Sequence, residues 1–177
     1  KLNSPYLLAV GTNEPRKNLV SLIKAFLWLK EYGELIDYSL VLVGASGWKN
    51  KDINKLLLQS KDNSIKTLGY VDDKYLSGLF AGANLFVFPS LYEGYGMPVM
   101  EARACGTKVV TTNIPELREA SCEDAFYVDT TPSSIAKGIL EALSSKKPLM
   151  VDKYIQSWEQ SAEVVANALL SCTINNP

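Results

Sequence analysis

Apolar positions in this chain fall into short continuous runs, and longer stretches of helical spacing separate them. Tyr6–Val10 is the first such run and ends at Gly11; without polar alternation it reads as a strand buried on both faces. A loop follows over Thr12–Lys17, then Leu19, Leu22, Ile23, Phe26, Leu27 and Leu29 form one broad apolar stripe of a helix. Asn18 is its expected N-cap and Gly33 its stop. Ser39–Val43 repeats the strand pattern and ends at Gly44. Asn50–Ser60 is a shorter helix carrying Ile53, Leu56 and Leu57, and Ile65–Val71 is a third strand with Gly69 near its end. Asp72 or Asp73 is placed to cap a helix over Lys74–Ala81, with Leu76, Leu79 and Phe80 turned inward. Leu85–Phe88 is the fourth strand, and Val99–Cys105 is a helix that Gly106 stops. Lys108–Thr112, rich in β-branched residues, is the fifth strand. Pro115–Ala120 is a short helix and Ala125–Val128 a sixth strand. Pro132 opens a helix through Leu143, with Ile135, Ile139, Leu140 and Leu143 on one side. After a break at Lys146–Pro148, a last helix covers Asp152 to Leu170, with Tyr154, Trp158 and the stripe Ala162, Val165, Leu169.

Short buried strands alternating with amphipathic helices imply an α/β fold, a parallel sheet covered on both faces. Right-handed crossovers make it a doubly wound, Rossmann-like domain of about six strands. Residues 1–150 form that domain, and residues 151–177 form a terminal helix that packs on the same sheet or on another domain. In such sheets ligands bind outside the carboxyl ends of the strands. Gly11, Gly44, Gly69–Val71 and Ser90–Gly96 all fall at such ends, so four separate loops share one edge.

Composition narrows the function classes. The formal net charge is −1, which gives no bulk attraction for a polyanion. No apolar run approaches the roughly 18 residues of a membrane span. Lys1–Pro5 shows no signal-peptide pattern and leads almost directly into a strand, as in a domain cut from a longer chain. Cys105, Cys122 and Cys172 lack metal-ligand or redox spacing and suggest a reducing compartment. A cytoplasmic location is expected, peripheral to the inner membrane face if a missing domain brings it there. The chain has no histidine, so the commonest metal ligand and acid–base group are both absent. Asp72 and Asp73 lack an Asp-x-Asp pattern and suit helix capping better; no metal site is expected.

The chemistry concentrates in Pro89–Gly106, PSLYEGYGMPVMEARACG. A Gly-rich turn from strand to helix leaves backbone N–H groups unpaired, and the helix dipole adds partial positive charge. Such turns bind anions, phosphates above all. Glu93 and Glu101, eight positions apart, are poor phosphate ligands but good acceptors for hydroxyls. A nucleotide sugar carries both kinds of group. A surface turn with a solvated Glu is the plain alternative. Arg16 and Lys17 are two adjacent cations on the loop after the first strand. They suit a diphosphate that gains charge as it leaves; a solvated basic pair is the alternative there.

The segment E-G-Y-G-M-P-V-M-E resembles the Glu-x7-Glu signature of the retaining family 4 (group 1) glycosyltransferases of the two-domain GT-B fold. The flanking Asn84–Ser90, Ala104–Thr111 and Pro115–Glu119 match that family as well, and the resemblance runs from about Tyr6 to Trp158. It implies the C-terminal, donor-binding half of such an enzyme, moving a hexose to a saccharide or lipid-linked acceptor held by a missing N-terminal domain. It further implies that Glu93 contacts the donor sugar at the catalytic centre and Glu101 the ribose. Backbone N–H groups of Gly94, Tyr95, Gly96 and Met97 would meet sugar hydroxyls and the β-phosphate, with the Tyr95 side chain structural. Gly69, Tyr70 and Val71 would touch the base through their backbone. Gly11 and Thr12 open the phosphate loop, and Lys17 matches the phosphate-binding lysine. Many members place an arginine where this chain has Thr12, so either Arg16 takes over part of that charge or phosphate binding is weaker than in relatives with both cations. No cofactor is implied; the substrate is a nucleotide sugar, with GDP-mannose the leading expectation. A GT-B sugar-nucleotide epimerase, a phosphorylase and a non-catalytic nucleotide-binding module are the alternatives.

Overall fold

The computed structural model describes residues 4–45, 47, 51–59, 63–146 and 158–174. Six strands, β1 (Tyr6–Val10), β2 (Ser39–Val43), β3 (Ile65–Gly69), β4 (Leu85–Phe88), β5 (Val109–Thr112) and β6 (Phe126–Val128), form one sheet in the order β3-β2-β1-β4-β5-β6. Every neighbouring pair is parallel. The chain crosses from β1 outward through β2 to β3, then returns to the other side of β1 with β4. The β1/β4 junction is therefore the topological switch point, where a crevice opens at the strand carboxyl ends.

Among the described residues six helices cover the two faces, α1 (Leu19–Glu31), α2 (Lys51–Gln59), α3 (Asp73–Gly82), α4 (Met97–Ala104), α5 (Pro115–Ser121) and α6 (Pro132–Ser144), while a seventh, α7 (Trp158–Ile174), contributes no residue to either buried core. Successive strand residues point to opposite faces, and the core divides accordingly. Leu7, Leu40, Leu85 and Val110 pack with Leu22, Ile23 and Phe26 of α1 and Ile135 and Ile139 of α6. Leu8, Val41, Phe86 and Val109 pack instead with Phe80 of α3, Val99 of α4 and Leu117 of α5. Each fully buried Leu, Ile or Phe contributes about 1.5–3 kcal/mol over its exposed state, so β1 and β4, buried along almost their whole length, are fixed by both layers at once.

Several boundaries differ from the sequence reading for identifiable reasons. β3 stops at Gly69, whose φ of +65° turns the chain, so Val71 lies beyond it. α4 begins at Met97, with Pro98 inside its first turn where no N–H is needed. Asn18 precedes α1 but does not cap it through its side chain. Its φ is +53°, and its Nδ2 donates to the Thr130 carbonyl at 2.8 Å, tying the start of α1 to the loop before α6. Asp72, not Asp73, caps α3, accepting from the Lys74 N–H at 3.2 Å. For the last helix, residues 152–157, Tyr154 among them, lie outside the described residues. Val164, Val165, Leu169 and Leu170 on α7 are exposed.

Candidate functional site

The site grows from the way three loops are laced together at the sheet edge. The Gly11 N–H donates to the Val43 carbonyl at 2.8 Å, Asn13 N–H to Ala45 at 3.1 Å, and Gly44 N–H to Gly69 at 2.8 Å. Gly44 must be glycine, because a Cβ there would lie 2.0 Å from the Gly11 carbonyl oxygen at a φ of +145°. The loops after β1, β2 and β3 thereby form one rim. Gly69, Tyr70 and Val71 sit at its outer end, with the Tyr70 side chain exposed.

A single 3-10 turn, Pro15–Lys17, aims two cations back across the switch point. Lys17 folds against Gly11, where a Cβ would come within 3.2 Å of its Cε. Its Nζ lies 4.5 Å from the centroid of the Phe88 ring and donates to Glu93 Oε1 at 2.6 Å. Both residues are only 7% exposed. Burial holds the Lys17 pKa below its ordinary value, and the hydrogen bond and charge of Glu93 offset that only in part. Arg16 donates from Nη1 to Glu93 Oε2 at 3.0 Å and from Nε to Glu14 Oε2 at 2.8 Å. Partial burial pulls Arg16 down, but the Glu14 hydrogen bond and the Glu93 charge outweigh it and leave its pKa raised. The Leu91 N–H donates to the Arg16 carbonyl at 2.7 Å, so backbone as well as side chains join this turn to the β4–α4 loop. Gly11, Asn13, Lys17, Val87, Phe88 and Pro89 line the crevice between them.

Beyond Glu93 the chain enters α4. Gly96 precedes the helix at φ +92° with no side-chain cap, and the N–H groups of Gly94, Tyr95, Gly96 and Met97 have no acceptor among the described residues. These are the orphan donors that an anion or hydroxyl would satisfy. Glu101 lies one turn further on. Burial raises its pKa and the charge of Asp73 raises it further; its carbonyl accepts the Cys105 N–H at 3.1 Å, but among the described residues no hydrogen bond or ion pair reaches its carboxylate. A carboxylate carrying a desolvation cost without a partner is suited to a ligand's hydroxyls. Thr12 accepts the Glu14 N–H with its carbonyl at 2.8 Å, while Arg16 is the residue whose guanidinium reaches Glu93.

Sequence reasoning missed three supports of this site. Thr111 Oγ1 donates to the Phe88 carbonyl at 2.7 Å and Thr112 Oγ1 to the Ser90 carbonyl at 2.5 Å, both buried. They hold the end of β4 where its backbone leaves the sheet. The paired threonines ending a strand were the available signal. The third is Glu14, which fixes Arg16 from the other side. Among the described residues no group of three His, Cys, Asp or Glu could hold a metal, and no helix is long and apolar enough to cross a membrane.

A family model described as glycosyl transferases group 1 matches residues 1–162. The chain is 37% identical over 140 residues to O-antigen chain mannosyltransferase B of Escherichia coli, covering 78% of this chain and 36% of that protein. It is 32% identical over 173 residues to the serotype-specific mannosyltransferase WbdA of the same species, covering 94% of this chain and 21% of that protein. The chain thus spans about a third or less of the length of these relatives. In structure it is similar to sucrose-phosphate synthase from Thermosynechococcus elongatus, with a TM-score of 0.80 at 23% identity over 98% of this chain and 47% of that one. It is also similar to WaaG, a glycosyltransferase involved in lipopolysaccharide biosynthesis, with a TM-score of 0.67 at 23% identity over 82% of this chain and 39% of that one. Both neighbours have the GT-B fold.

Proposed function

This chain belongs to the group 1 glycosyltransferase family, and on that premise we propose that it is the donor-binding half of a retaining glycosyltransferase. It binds a sugar nucleotide, GDP-mannose being the leading candidate, and presents the hexose to a saccharide or lipid-linked acceptor held by a second half. The mannosyltransferases among its relatives favour the mannosyl donor. The observation that carries the reading is the pair Lys17 and Arg16, held across the β1/β4 crevice on Glu93, the residue that directly precedes the orphan N–H groups opening α4.

In this reading the two cations and the α4 N-terminus take up the charge that grows on the departing nucleoside diphosphate. Such preorganised groups act most strongly where water is excluded. Glu101 accepts from the ribose hydroxyls and Glu93 from the donor sugar. The rim at Gly69–Val71 meets the base through backbone groups. Acceptor placement and the exclusion of water fall to the second half. We place it on the cytoplasmic side, with any membrane contact made through that half; the three cysteines without a disulfide framework favour a reducing compartment.

Titration calorimetry with guanosine, GDP and GDP-mannose in the presence of chelator tests the reading. Lys17→Ala is expected to weaken GDP roughly tenfold or more while changing guanosine little, since a charge-assisted contact is worth about 1.5–3 kcal/mol. Equal weakening of all three ligands in a folded variant would refute the phosphate role. Failure of the wild type to bind any sugar nucleotide would refute the function.

A further inference from the structure

Glu93 sits among charges in a way that sugar binding alone does not require. Each of its two oxygens takes one cation, Oε1 from Lys17 and Oε2 from Arg16. Glu14 takes the second face of the Arg16 guanidinium. Two cations and two carboxylates leave this cluster with no formal net charge. An incoming diphosphate therefore meets cations that are already neutralised, and two carboxylates that repel it.

The exchange has a second consequence. Lys17 lies buried between the Phe88 ring and Gly11, where phosphate in open solvent does not reach it. Phosphate must enter and draw its hydrogen bonds away from Glu93. The carboxylate left behind is 7% exposed, and a buried carboxylate stripped of its cations is costly unless new donors replace them. An intact sugar nucleotide brings hydroxyl donors next to its β-phosphate. A bare nucleoside diphosphate brings none.

We infer that Glu93 is the residue by which this site distinguishes sugar nucleotide from nucleoside diphosphate. It acts as an internal anion that holds Lys17 and Arg16 while the site is empty and yields them only to a ligand that supplies hydroxyls in return. The inference rests on the donor-binding reading above. After transfer the sugar is gone, Glu93 reclaims both cations, and the diphosphate is expelled. Product release is a step that often limits such cycles. The same contact thus favours substrate at entry and opposes product at exit.

The experiment measures affinities of the full chain for inorganic pyrophosphate, GDP and GDP-mannose, with wild type, Glu93→Gln and Glu14→Gln compared after their melting curves. Glu93→Gln keeps the shape but removes one negative charge from the cluster. It is expected to bind pyrophosphate and GDP at least tenfold more tightly than wild type, because one charge about 4 Å away at an effective dielectric of about 20 corresponds to about a thousandfold at most, and solvent and salt screening reduce it. GDP-mannose should gain nothing or lose affinity, so the preference for sugar nucleotide over GDP falls by at least that factor. Glu14→Gln, which removes a charge without touching the sugar contact, should tighten GDP and GDP-mannose alike. If Glu93→Gln does not fold, Glu93→Asp, which withdraws the carboxylate by one methylene, should move the preference in the same direction by a smaller factor. Weaker binding of pyrophosphate and GDP by a folded Glu93 variant would overturn the inference, because Glu93 would then only position Lys17. A wild type that binds pyrophosphate but no sugar nucleotide would overturn the donor-binding reading and this inference with it.

Discussion

Replacing Gly96 by alanine is expected to cost far more than the same change two residues earlier, at Gly94. At Gly96 the φ of +92° lies about 35° beyond the left-handed minimum, and even that minimum costs an L-residue roughly 1–2 kcal/mol. The added Cβ would stand 2.6 Å from Leu117 Cδ2 and 3.2 Å from Ala120 Cβ, where carbon atoms prefer about 3.5–4.0 Å. Leu117 is fully buried and cannot turn out to solvent, so overpacking adds about 1–3 kcal/mol. The two terms together give about 2–5 kcal/mol. At Gly94 a Cβ meets nothing within 4 Å and φ is not positive, so alanine should be neutral to about 1 kcal/mol stabilising through the unfolded chain. Urea unfolding reads the difference. With a slope of about 2 kcal/mol/M, Gly96→Ala moves the midpoint down by about 1–2.5 M and Gly94→Ala hardly at all. Adding Leu117→Val removes the atom in the way, so the double mutant should recover about 1–3 kcal/mol relative to additivity. Equal midpoints for the two alanine variants, or no recovery in the double mutant, would refute the claim that α4 is pressed onto α5 at Gly96.

Two further expectations follow from the site. Glu101→Gln should stabilise the chain by at most about 0.5 kcal/mol at pH 7, because solvent screens a half-exposed carboxylate: a raised folded pKa favours the fold fully below the unfolded value of 4.5 and loses that contribution as pH rises through the folded value. The advantage should vanish below pH 4.5, and unfolding curves across pH that show a constant difference would contradict the burial of this carboxylate. Gly44→Ala should prevent folding or cost more than about 3 kcal/mol, since the clash is with the Gly11 carbonyl and not with a movable side chain; a melting temperature near wild type would show that the three loops are not laced as described.

The strands were legible in the sequence because each is a short apolar run, and several end at a glycine that turns the chain. β1, β2 and β4 match their expected bounds residue for residue. The cations and carboxylates were legible as residue types with a use, yet their pairing was not. Lys17 and Glu93 stand 76 positions apart, and only the strand order brings them together. For the same reason Asn18 misled: a residue type suited to capping is spent instead on Thr130, a partner 112 positions away. Thr111 and Thr112 looked like ordinary β-branched strand residues, and their pairing at a strand end was the one local sign of hydroxyls that serve the neighbouring strand.

The junction of β1 with β4 has a consequence for how the molecule forms and opens. β1 is matched to β2 from Tyr6–Ser39 through Val10–Val43, but it meets β4 only at Leu7–Leu85 and Leu8–Phe86. Past that point the strands separate, and the closure also spans a long stretch of chain, as in the Tyr6 N–H bond to Asn84, 78 positions away. Long-range parallel pairing forms late, because loop entropy is spent before contacts repay it. The β1–β3 half is therefore expected to assemble as one early unit, and β4–β6 to join it across the line of the shortest paired register in the sheet. Amides along that line should be the first of the core to exchange with solvent. A ligand held by Lys17 on one side and the α4 N-terminus on the other bridges the same line, so its binding slows the parting of the two halves as well as filling a site.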